Sequence, residues 1–383
     1  MKLSMMLSGL TAAGCGIRII KGSLETEAAF LTADSRKVTE GSVFVCIVGA
    51  VSDGHNYIDQ VIEKNPAAIV TQRDCVKREY PDNITVVEVD NTRKALAYMS
   101  ASYFGNPAER LFTIGITGTK GKTTTTYMIR NVLEACGIKT GLIGTIETII
   151  GENTKAACNT TPESYEIHKS FKAMADAGCK AVVMEVSSQG LKLDRTAGIM
   201  FDIGVFTNIE PDHIGPDEHE SFEEYLNCKA MLFRQCKIGI VNGDDKHTKD
   251  IIANAVCPIE KYGLEKDNDL RAADINLLHK RGQIGLTYKC QGVLDMNVEL
   301  NLPGKFSVYN SLCAIAVTRH LNVDEAVLKN TLKAVKVKGR IELVKVSDRF
   351  SLMIERISNV TTSVPRYSRL RFSRSRISLP DNM

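Results

Sequence analysis

A glycine-rich turn between an apolar segment and a helical segment carries the residues best suited to chemistry. It runs from Leu111 to Thr126 and reads LFTIGITGTKGKTTTT. A polyphosphate needs backbone N–H groups pointing one way, a helix N-terminus, a point cation and a hydroxyl that can hold magnesium. Gly118 and Gly121 allow the tight backbone, and Lys122 and Thr123 supply the cation and the hydroxyl. The pattern predicts a phosphate-binding loop.

The loop departs from the strict phosphate-loop pattern, because Ile116 stands where the first glycine of that pattern would fall. The segment after the loop, YMIRNVLEACG, has apolar residues at helical spacing and ends in glycine, so we expect a helix there. A flexible Gly/Thr-rich loop is the alternative interpretation.

Polar residues also follow other apolar segments that are candidate strands. They are NTTP at 159–162, EVSS at 185–188 and the stretch from Thr207 to His213. Ligands of open α/β sheets bind beyond the carboxyl ends of the strands, so these junctions and the loop are expected to meet.

Glu185 ends the apolar segment AVVME, where an unpaired carboxylate would be costly. Magnesium prefers oxygen ligands and accompanies phosphates, so Glu185 and Thr123 are predicted to hold a nucleotide's Mg²⁺, with His213 a possible ligand of a second ion. An ordinary salt bridge for Glu185 and a hydrogen-bonded loop histidine for His213 are the alternatives.

The composition is that of an ordinary globular protein: 383 residues, 44% hydrophobic, 24% charged, with a net charge of +3. The eleven cysteines form no C-x-x-C pair, which favours reduced thiols in the cytoplasm over a disulfide framework or a zinc site. No apolar run is long enough for a membrane helix, so a soluble protein is expected. The small charge argues neither for nor against nucleic acid.

The predicted fold class is α/β. Residues 1–107 alternate strand-like and helix-like segments and predict a small α/β domain. Residues 108–338 begin with the loop and continue in the βαβ rhythm of a mostly parallel sheet, with GLIGTIETII, AVVMEVSS and FDIGVFTNI as strands. Ser35 and Arg36 near a strand edge are a modest signal for an anion site, and a surface turn is the alternative.

Together these motifs resemble the Mur ligases. The matching stretches lie between about residues 30 and 345 and read DSRKVTEGSVFVCIVGAVSDGHNYI, GITGTKGKTTTTYMI, NTTPES, VMEVSSQGLKLDR, FTNIEPDHIGPDEHESFEEYLNCKAMLF, LPGKFSVYNSLCAIAV and VKGRIELV. The DSR and NTTPES stretches favour the member that adds the third amino acid of the cell-wall peptide.

The resemblance implies an ATP-dependent amide ligation in peptidoglycan biosynthesis. UDP-N-acetylmuramoyl-L-alanyl-D-glutamate would be phosphorylated by ATP with Mg²⁺ and then attacked by the amine of diaminopimelate or lysine. The implied partners are this nucleotide sugar and an amino acid, without nucleic acid or membrane, for a cytoplasmic monomer.

The resemblance also implies roles for individual residues. Lys122 and Lys229 would be catalytic, and Thr123, Glu185, His213 and Lys229 would bind metal. Nucleotide contacts would come from Gly118, Thr119, Lys120, Gly121, Lys122, Thr123, Thr124, Asn310 and Arg340. Substrate contacts would come from Ser35, Asn159, Thr160, Thr161, Ser187 and Arg195.

Lys229 shows how much the resemblance adds. Its position in FEEYLNCKAMLF alone predicts a solvated helix lysine. In the family the matching lysine is carbamylated by CO2 to N6-carboxylysine, which turns a cation into an anion able to join metal coordination.

The end of the chain breaks the family's pattern. After Gly339 the family continues into a third α/β domain, but residues 355–383 are rich in arginine and serine and lack it. Residues 339–383 are therefore predicted to be the start of this third domain followed by an aberrant tail. A frame change or truncation is the favoured interpretation of the tail, and a basic disordered tail is the alternative.

The expected behaviour of this chain is therefore binding of the UDP substrate with amide formation below detection. Competing hypotheses are a non-catalytic nucleotide-sugar or ATP-binding protein and a ligase resembling folylpolyglutamate synthetase.

Overall fold

The computed structural model describes residues 1–49, 52–72, 79–212, 214–215, 218–280, 283–335, 342–345 and 351–354. Two sheets with helices on both faces account for most of this chain, which confirms the predicted α/β class. Within the described residues, none of the helices combines the length and the apolar character that crossing a membrane requires.

The N-terminal sheet has five strands. They are β1 Ile17–Lys21, β2 Phe30–Thr32, β3 Ser42–Val45, β4 Ala68–Gln72 and β5 Thr85–Val89. Their order is β1-β5-β4-β3-β2, with β1 antiparallel to β5 and the other pairs parallel. The helices of this part are α1 Leu3–Ala12, α2 Ile58–Ile62 and α3 Thr92–Tyr103.

Both faces of this sheet are covered, which explains why its parallel strands read as unbroken apolar runs. Leu7 of α1 and Met99 of α3 pack with Val43 on one face. Ile58 of α2 packs with Phe44 on the other.

The central sheet has eleven strands in the order β16-β15-β14-β13-β12-β11-β6-β10-β7-β8-β9. They are β6 Phe112–Thr117, β7 Thr140–Ile143, β8 Glu147–Ile150, β9 Asn153–Ala156, β10 Ala181–Glu185, β11 Phe201–Phe206, β12 Cys236–Asn242, β13 Ile259–Gly263, β14 Leu270–Lys280, β15 Gln283–Gly292 and β16 Met296–Leu300. The strands from β7 to β14 in this order run parallel, and antiparallel strands extend both edges.

Seven helices accompany this sheet: α4 Lys122–Ala135, α5 Ser164–Asp176, α6 Ser188–Lys192, α7 Phe222–Ala230, α8 Thr248–Ile252, α9 Lys305–Thr318 and α10 Glu325–Ala334. Side chains of α4, α9 and α10 form one core with the sheet, and those of α5, α6 and α7 form a second core. The carboxyl ends of the parallel strands therefore lie along one edge of the sheet, between the two layers of helices.

The segment GLIGTIETII is not the single strand that its apolar run predicts. It forms β7 and β8, which pair antiparallel around a turn at Gly144. A Cβ at Gly144 would lie 2.5 Å from Oε1 of Glu185, so the glycine lets the backbone pass close to that carboxylate.

Beyond α10 the structure describes two short strands, β17 Glu342–Lys345 and β18 Ser351–Ile354, which pair antiparallel. Arg340 and most of residues 339–383, on which the prediction of an aberrant tail falls, lie outside the described residues.

Candidate active site

The predicted phosphate loop connects β6 to the N-terminus of α4. Gly118 and Gly121 adopt φ values of 146° and 86°, where glycine is favoured. A Cβ would lie 2.0 Å from Thr207 Oγ1 at Gly118, and 2.6 Å from Asn310 Oδ1 at Gly121. The glycines are therefore required twice, for backbone conformation and for space. The helix N-terminus behind them fits a bound phosphate.

The residues after β11 hold the loop in shape. Asn208 accepts the N–H of Thr119 on its backbone oxygen at 2.8 Å and the N–H of Lys120 on its Oδ1 at 2.9 Å. Its Nδ2 donates to the carbonyl of Lys120 at 2.9 Å. The side chain of Lys120 forms an ion pair with Glu210. The loop is thus fixed by a neighbouring strand end and not by its own sequence alone.

Lys122 is the first residue of α4. Its Nζ donates to the carbonyl oxygens of Gly118 and Thr119 at 2.7 and 3.2 Å. The ammonium therefore lies within the concave side of the loop, where a phosphate would sit. Asn310, on α9, reaches the same helix and accepts a hydrogen bond from Thr125 Oγ1 at 3.3 Å.

Glu185 lies beside the loop and is 1% exposed. Its Oε2 accepts hydrogen bonds from Thr123 Oγ1 at 3.0 Å and Thr145 Oγ1 at 2.9 Å, and its Oε1 accepts from Thr145 N–H at 2.9 Å. The predicted pair of Mg²⁺ ligands, Glu185 and Thr123, is thus in direct contact. The buried carboxylate is satisfied by hydroxyl and amide donors, so a cation is not required to make its burial tolerable.

These oxygens suit magnesium, which takes few protein ligands and keeps phosphate and water oxygens around it. Across the described ranges, no three or more His, Cys, Asp or Glu side chains gather into a metal cluster. His213, the predicted ligand of a second ion, lies outside those ranges.

The predicted substrate residues of the central sheet form one connected group. Thr161 Oγ1 donates to the carbonyl of Glu185 at 3.0 Å and accepts Ser187 N–H at 2.9 Å. Thr160 Oγ1 lies 3.1 Å from Thr145 Oγ1. Arg195 donates to the carbonyl of Thr161 at 2.9 Å. The loop at residues 159–162, here called the candidate substrate loop, therefore lies against the candidate metal ligands.

Two predicted substrate residues are placed differently. Asn159 is exposed at the start of this loop. Ser35 lies next to the N-terminal sheet, in a 3-10 turn that follows β2. Its backbone carbonyl accepts a hydrogen bond from Lys64 Nζ at 2.7 Å. A ligand that contacts both Ser35 and the central loop must span the two sheets.

Lys229 is buried, with 1% of its surface exposed, so the pattern-based prediction of a solvated lysine is wrong. Its Nζ lies 4.3 Å from the ring centroid of Tyr225, one helical turn earlier. Burial, and next the nearby charge of Lys122, hold the pKa of Lys229 well below its usual value. Tyr225 in turn lies 2.9 Å from Thr119 Oγ1 through its hydroxyl. The Lys229 amine is thus buried behind the phosphate loop, where its charged form is disfavoured.

Sequence reasoning did not identify Thr145 and Tyr225 as members of this site, whereas Asn208 lies in the stretch from Thr207 to His213 that was expected to meet the loop. Thr145 follows a parallel strand at the edge where the loop lies, which is the signal that could have found it. Tyr225 lies four residues before Lys229 on a helix, a spacing that places two side chains on one face.

Two variants separate the charge of Glu185 from its hydrogen bonding. Glu185→Gln keeps an acceptor for Thr145 N–H, and the threonine hydroxyls can rotate to accept from the amide, so the fold should be retained. We expect the Mg²⁺-dependent gain in ATP affinity to fall about tenfold, since the anionic ligand is lost. Glu185→Ala should also lower unfolding free energy by about 1 to 3 kcal/mol, because a buried N–H loses its partner.

ATP titrations with Mg²⁺ and with a chelator, together with urea unfolding, measure both effects of the Glu185 variants. The same Mg²⁺-dependent gain in Glu185→Gln as in the unaltered chain would show that this carboxylate does not serve the metal.

A phosphate-loop arrangement with a buried carboxylate and a candidate substrate loop at one sheet edge fits a nucleotide-dependent ligase, and this chain belongs to the Mur ligase family. The family model "Mur ligase middle domain" matches residues 116–318, and "Mur ligase family, catalytic domain" matches residues 27–104. Mur ligases are ATP-dependent ligases that use Mg²⁺.

Among curated relatives, the UDP-N-acetylmuramoyl-L-alanyl-D-glutamate--2,6-diaminopimelate ligase of Clostridium perfringens is 41% identical over 336 residues, covering 86% of this chain and 68% of the relative. The corresponding ligase 1 of Clostridium acetobutylicum is 42% identical over 327 residues, covering 85% and 66%. The chain thus spans about two thirds of the length of these relatives.

A solved structure titled as a UDP-N-acetylmuramoyl-L-alanyl-D-glutamate--2,6-diaminopimelate ligase superposes with a TM-score of 0.75 at 21% identity, covering 91% of this chain and 69% of that one. A folylpolyglutamate synthase of Mycobacterium tuberculosis gives 0.55 at 18% identity, covering 70% and 67%. At these identities the likeness concerns the fold.

Proposed function

We propose that this chain binds ATP and UDP-N-acetylmuramoyl-L-alanyl-D-glutamate, and activates the D-glutamyl side-chain carboxylate as an acyl phosphate for attack by diaminopimelate or lysine. The observation that carries this proposal is the contact of Glu185 with Thr123 at 3.0 Å, beside a substrate loop that bonds to Glu185 through Thr161. Nucleotide and acceptor carboxylate would meet there. The names of the relatives favour diaminopimelate.

In this proposal the chain's residues position reactants and stabilise charge. Lys122 and the N–H groups at the start of α4 would hold the phosphates. They would also stabilise the negative charge that develops on the transferred phosphoryl group during the reaction. Thr123 and Glu185 would hold Mg²⁺, which neutralises phosphate charge when bound. The predicted nucleotide contacts Thr119, Lys120, Thr124, Asn310 and Arg340 remain part of this proposal.

Substrate recognition would involve both sheets. Ser35 would contact the UDP end, and Asn159, Thr160, Thr161, Ser187 and Arg195 would contact the remainder. Arg195 suits an anionic substrate because its planar fork pairs with carboxylate or phosphate.

We also propose that Lys229 is carbamylated. A neutral amine nitrogen attacks the carbon of CO2, forms an N–C bond and releases one proton, which leaves an anionic carbamate. The lowered pKa of buried Lys229 supports this step, because only the unprotonated amine can attack. His213 and the carbamate would then complete a second metal site.

The proposed setting is a monomer in the cytoplasm. The ten cysteines described are free thiols, as is usual in a reducing compartment. Light scattering on the purified chain measures the mass in solution.

Hydroxylamine capture tests the activation step without requiring the amino-acid site. The chain is incubated with Mg-ATP, the UDP substrate and hydroxylamine, and ADP and hydroxamate are measured. We expect both products, and neither when the UDP substrate is replaced by a folate, which serves as the control for the folylpolyglutamate synthetase hypothesis. Calorimetry should show binding of the UDP substrate, and a chain that binds neither this substrate nor ATP would contradict the proposal.

A further inference from the structure

The guanidinium group of Arg93 contacts both parts of the chain. Arg93 lies in the first turn of α3 and its side chain is 18% exposed. Its Nε and Nη2 donate to the carbonyl oxygen of Val48 at 3.2 and 3.1 Å. Its Nη1 donates to Oε2 of Glu163 at 3.5 Å. One side chain therefore joins a loop of the N-terminal sheet to the loop that precedes α5.

The Val48 end of this connection lies at the edge of the N-terminal sheet where Ser35 is found. Strands β2 and β3 are parallel neighbours, and Ser35 follows β2 while Val48 follows β3. Val48 lies beside an ordered contact, since Gly54 N–H donates to the carbonyl of Ile47 at 2.9 Å and Val48 forms an antiparallel bridge with Asp53. Arg93 thus donates hydrogen bonds to the backbone at Val48, beside the proposed UDP site.

The Glu163 end leads to the candidate metal ligands. Oε1 of Glu163 accepts Arg195 Nη2 at 2.7 Å, and Nη1 of Arg195 donates to the carbonyl of Thr161 at 2.9 Å. Thr161 then bonds to the carbonyl of Glu185 at 3.0 Å. An unbroken series of polar contacts therefore runs from the N-terminal sheet to the candidate phosphoryl-transfer site.

We propose that Arg93 is a positioning residue that sets the spacing between the UDP site and the site of carboxylate activation. The inference rests on the proposed function, because it requires one substrate that occupies both sheets. An arginine suits this task because its rigid fork bonds two groups in fixed directions, whereas a lysine offers a single point charge. Small errors in reactant spacing carry large costs, since correct placement supplies much of the rate of such reactions.

The test compares three ligands on full-length chains by calorimetry: the complete UDP-N-acetylmuramoyl-dipeptide, UDP alone and Mg-ATP. We expect Arg93→Ala to bind the complete substrate at least tenfold more weakly, while UDP and ATP bind within about twofold of the unaltered chain. Arg93→Lys should lose at least threefold for the complete substrate only, because charge without the fork cannot hold both loops. Arg110→Ala is the matched control, since Arg110 pairs with Asp176 at 3.3 Å on the surface.

Each pattern of results has one meaning. Equal affinity of Arg93→Ala and the unaltered chain for the complete substrate overturns the inference. Loss of UDP and ATP binding together with the complete substrate also overturns it, because that is the result of general structural damage. If Arg93→Ala does not fold, Arg93→Lys decides by the same comparison. Failure of the unaltered chain to bind the complete substrate instead refutes the proposed function.

Discussion

Lys122→Ala is expected to abolish ATP binding and every ATP-dependent activity of this chain. The Nζ of Lys122 already lies inside the loop, 2.7 Å from the carbonyl of Gly118, so its cation faces the position of a bound phosphate. Its removal also leaves the carbonyl oxygens of Gly118 and Thr119 without this donor, and their partial negative charges disfavour a phosphate nearby. We expect affinity to fall at least a hundredfold, which corresponds to about 2.7 kcal/mol.

Lys120→Ala provides the graded comparison for Lys122→Ala. Both lysines belong to the same loop, but the side chain of Lys120 pairs with Glu210 and is 57% exposed. Its truncation should cost no more than a few-fold in affinity, because an exposed ion pair is weak. Calorimetry with Mg-ATP measures both variants. Equal losses in the two would mean that the loop responds to net charge and that Lys122 has no special position.

Lys229→Met is expected to stabilise the chain and to remove its turnover. Burial of Lys229, which is 1% exposed, disfavours its charged form, and methionine fills similar space without that cost. In CO2-free buffer at neutral pH we therefore expect the unfolding free energy to rise. Hydroxamate formation should fall below detection, since methionine cannot be carbamylated.

The direction of the Lys229 pKa shift determines how the unfolding free energy changes with pH. The pKa of Lys229 is lower in the folded than in the unfolded chain, so the unfolded chain binds the extra proton. The contribution of Lys229 to stability should therefore rise with pH, from the lowered pKa of the folded chain up to about 10.4, where the unfolded lysine also loses its proton. The advantage of Lys229→Met should shrink over that range. Urea unfolding at several pH values measures this difference.

Lys172→Met is the control, because Lys172 is an exposed helix lysine paired with Asp176. At neutral pH it should change stability by less than about 0.5 kcal/mol. A destabilised Lys229→Met would show that the amine is favourably paired in the folded chain. In Lys229→Ala, recovery of activity by a short carboxylic acid would support the carbamate role, whereas full activity without it would exclude one.

Much of the fold was predictable because periodicity and turn residues act locally. The apolar runs at Ser42–Val45 and Ala181–Glu185 became strands, and the segment after the phosphate loop became α4. The failure at GLIGTIETII has a tertiary cause, since the turn at Gly144 accommodates Glu185 from another strand. A window of sequence does not contain that neighbour.

Prediction of the site was also limited by contacts between segments that are distant in sequence. Glu185 and Thr123 were recognisable because a carboxylate ending an apolar strand and a hydroxyl after Gly-Lys are unusual in sequence. The burial of Lys229 was not recognisable from its helix, because the helix face that carries Tyr225 and Lys229 lies against the phosphate loop, where Tyr225 contacts Thr119, only in the fold. Arg93 gave no signal, since its two partners lie in separate loops.

The dependence of the phosphate loop on distant side chains has a consequence for the growing polypeptide. Thr207 bonds to Lys120 across 87 residues, and Asn310 bonds to Thr125 across 185. At translation rates of about 5 to 20 residues per second, roughly 10 to 40 s separate synthesis of the loop from synthesis of α9. A nascent chain during that interval carries the whole Gly-Lys-Thr sequence without the packing that shapes it. Nucleotide capture on the ribosome would therefore begin only after α9 has emerged and docked.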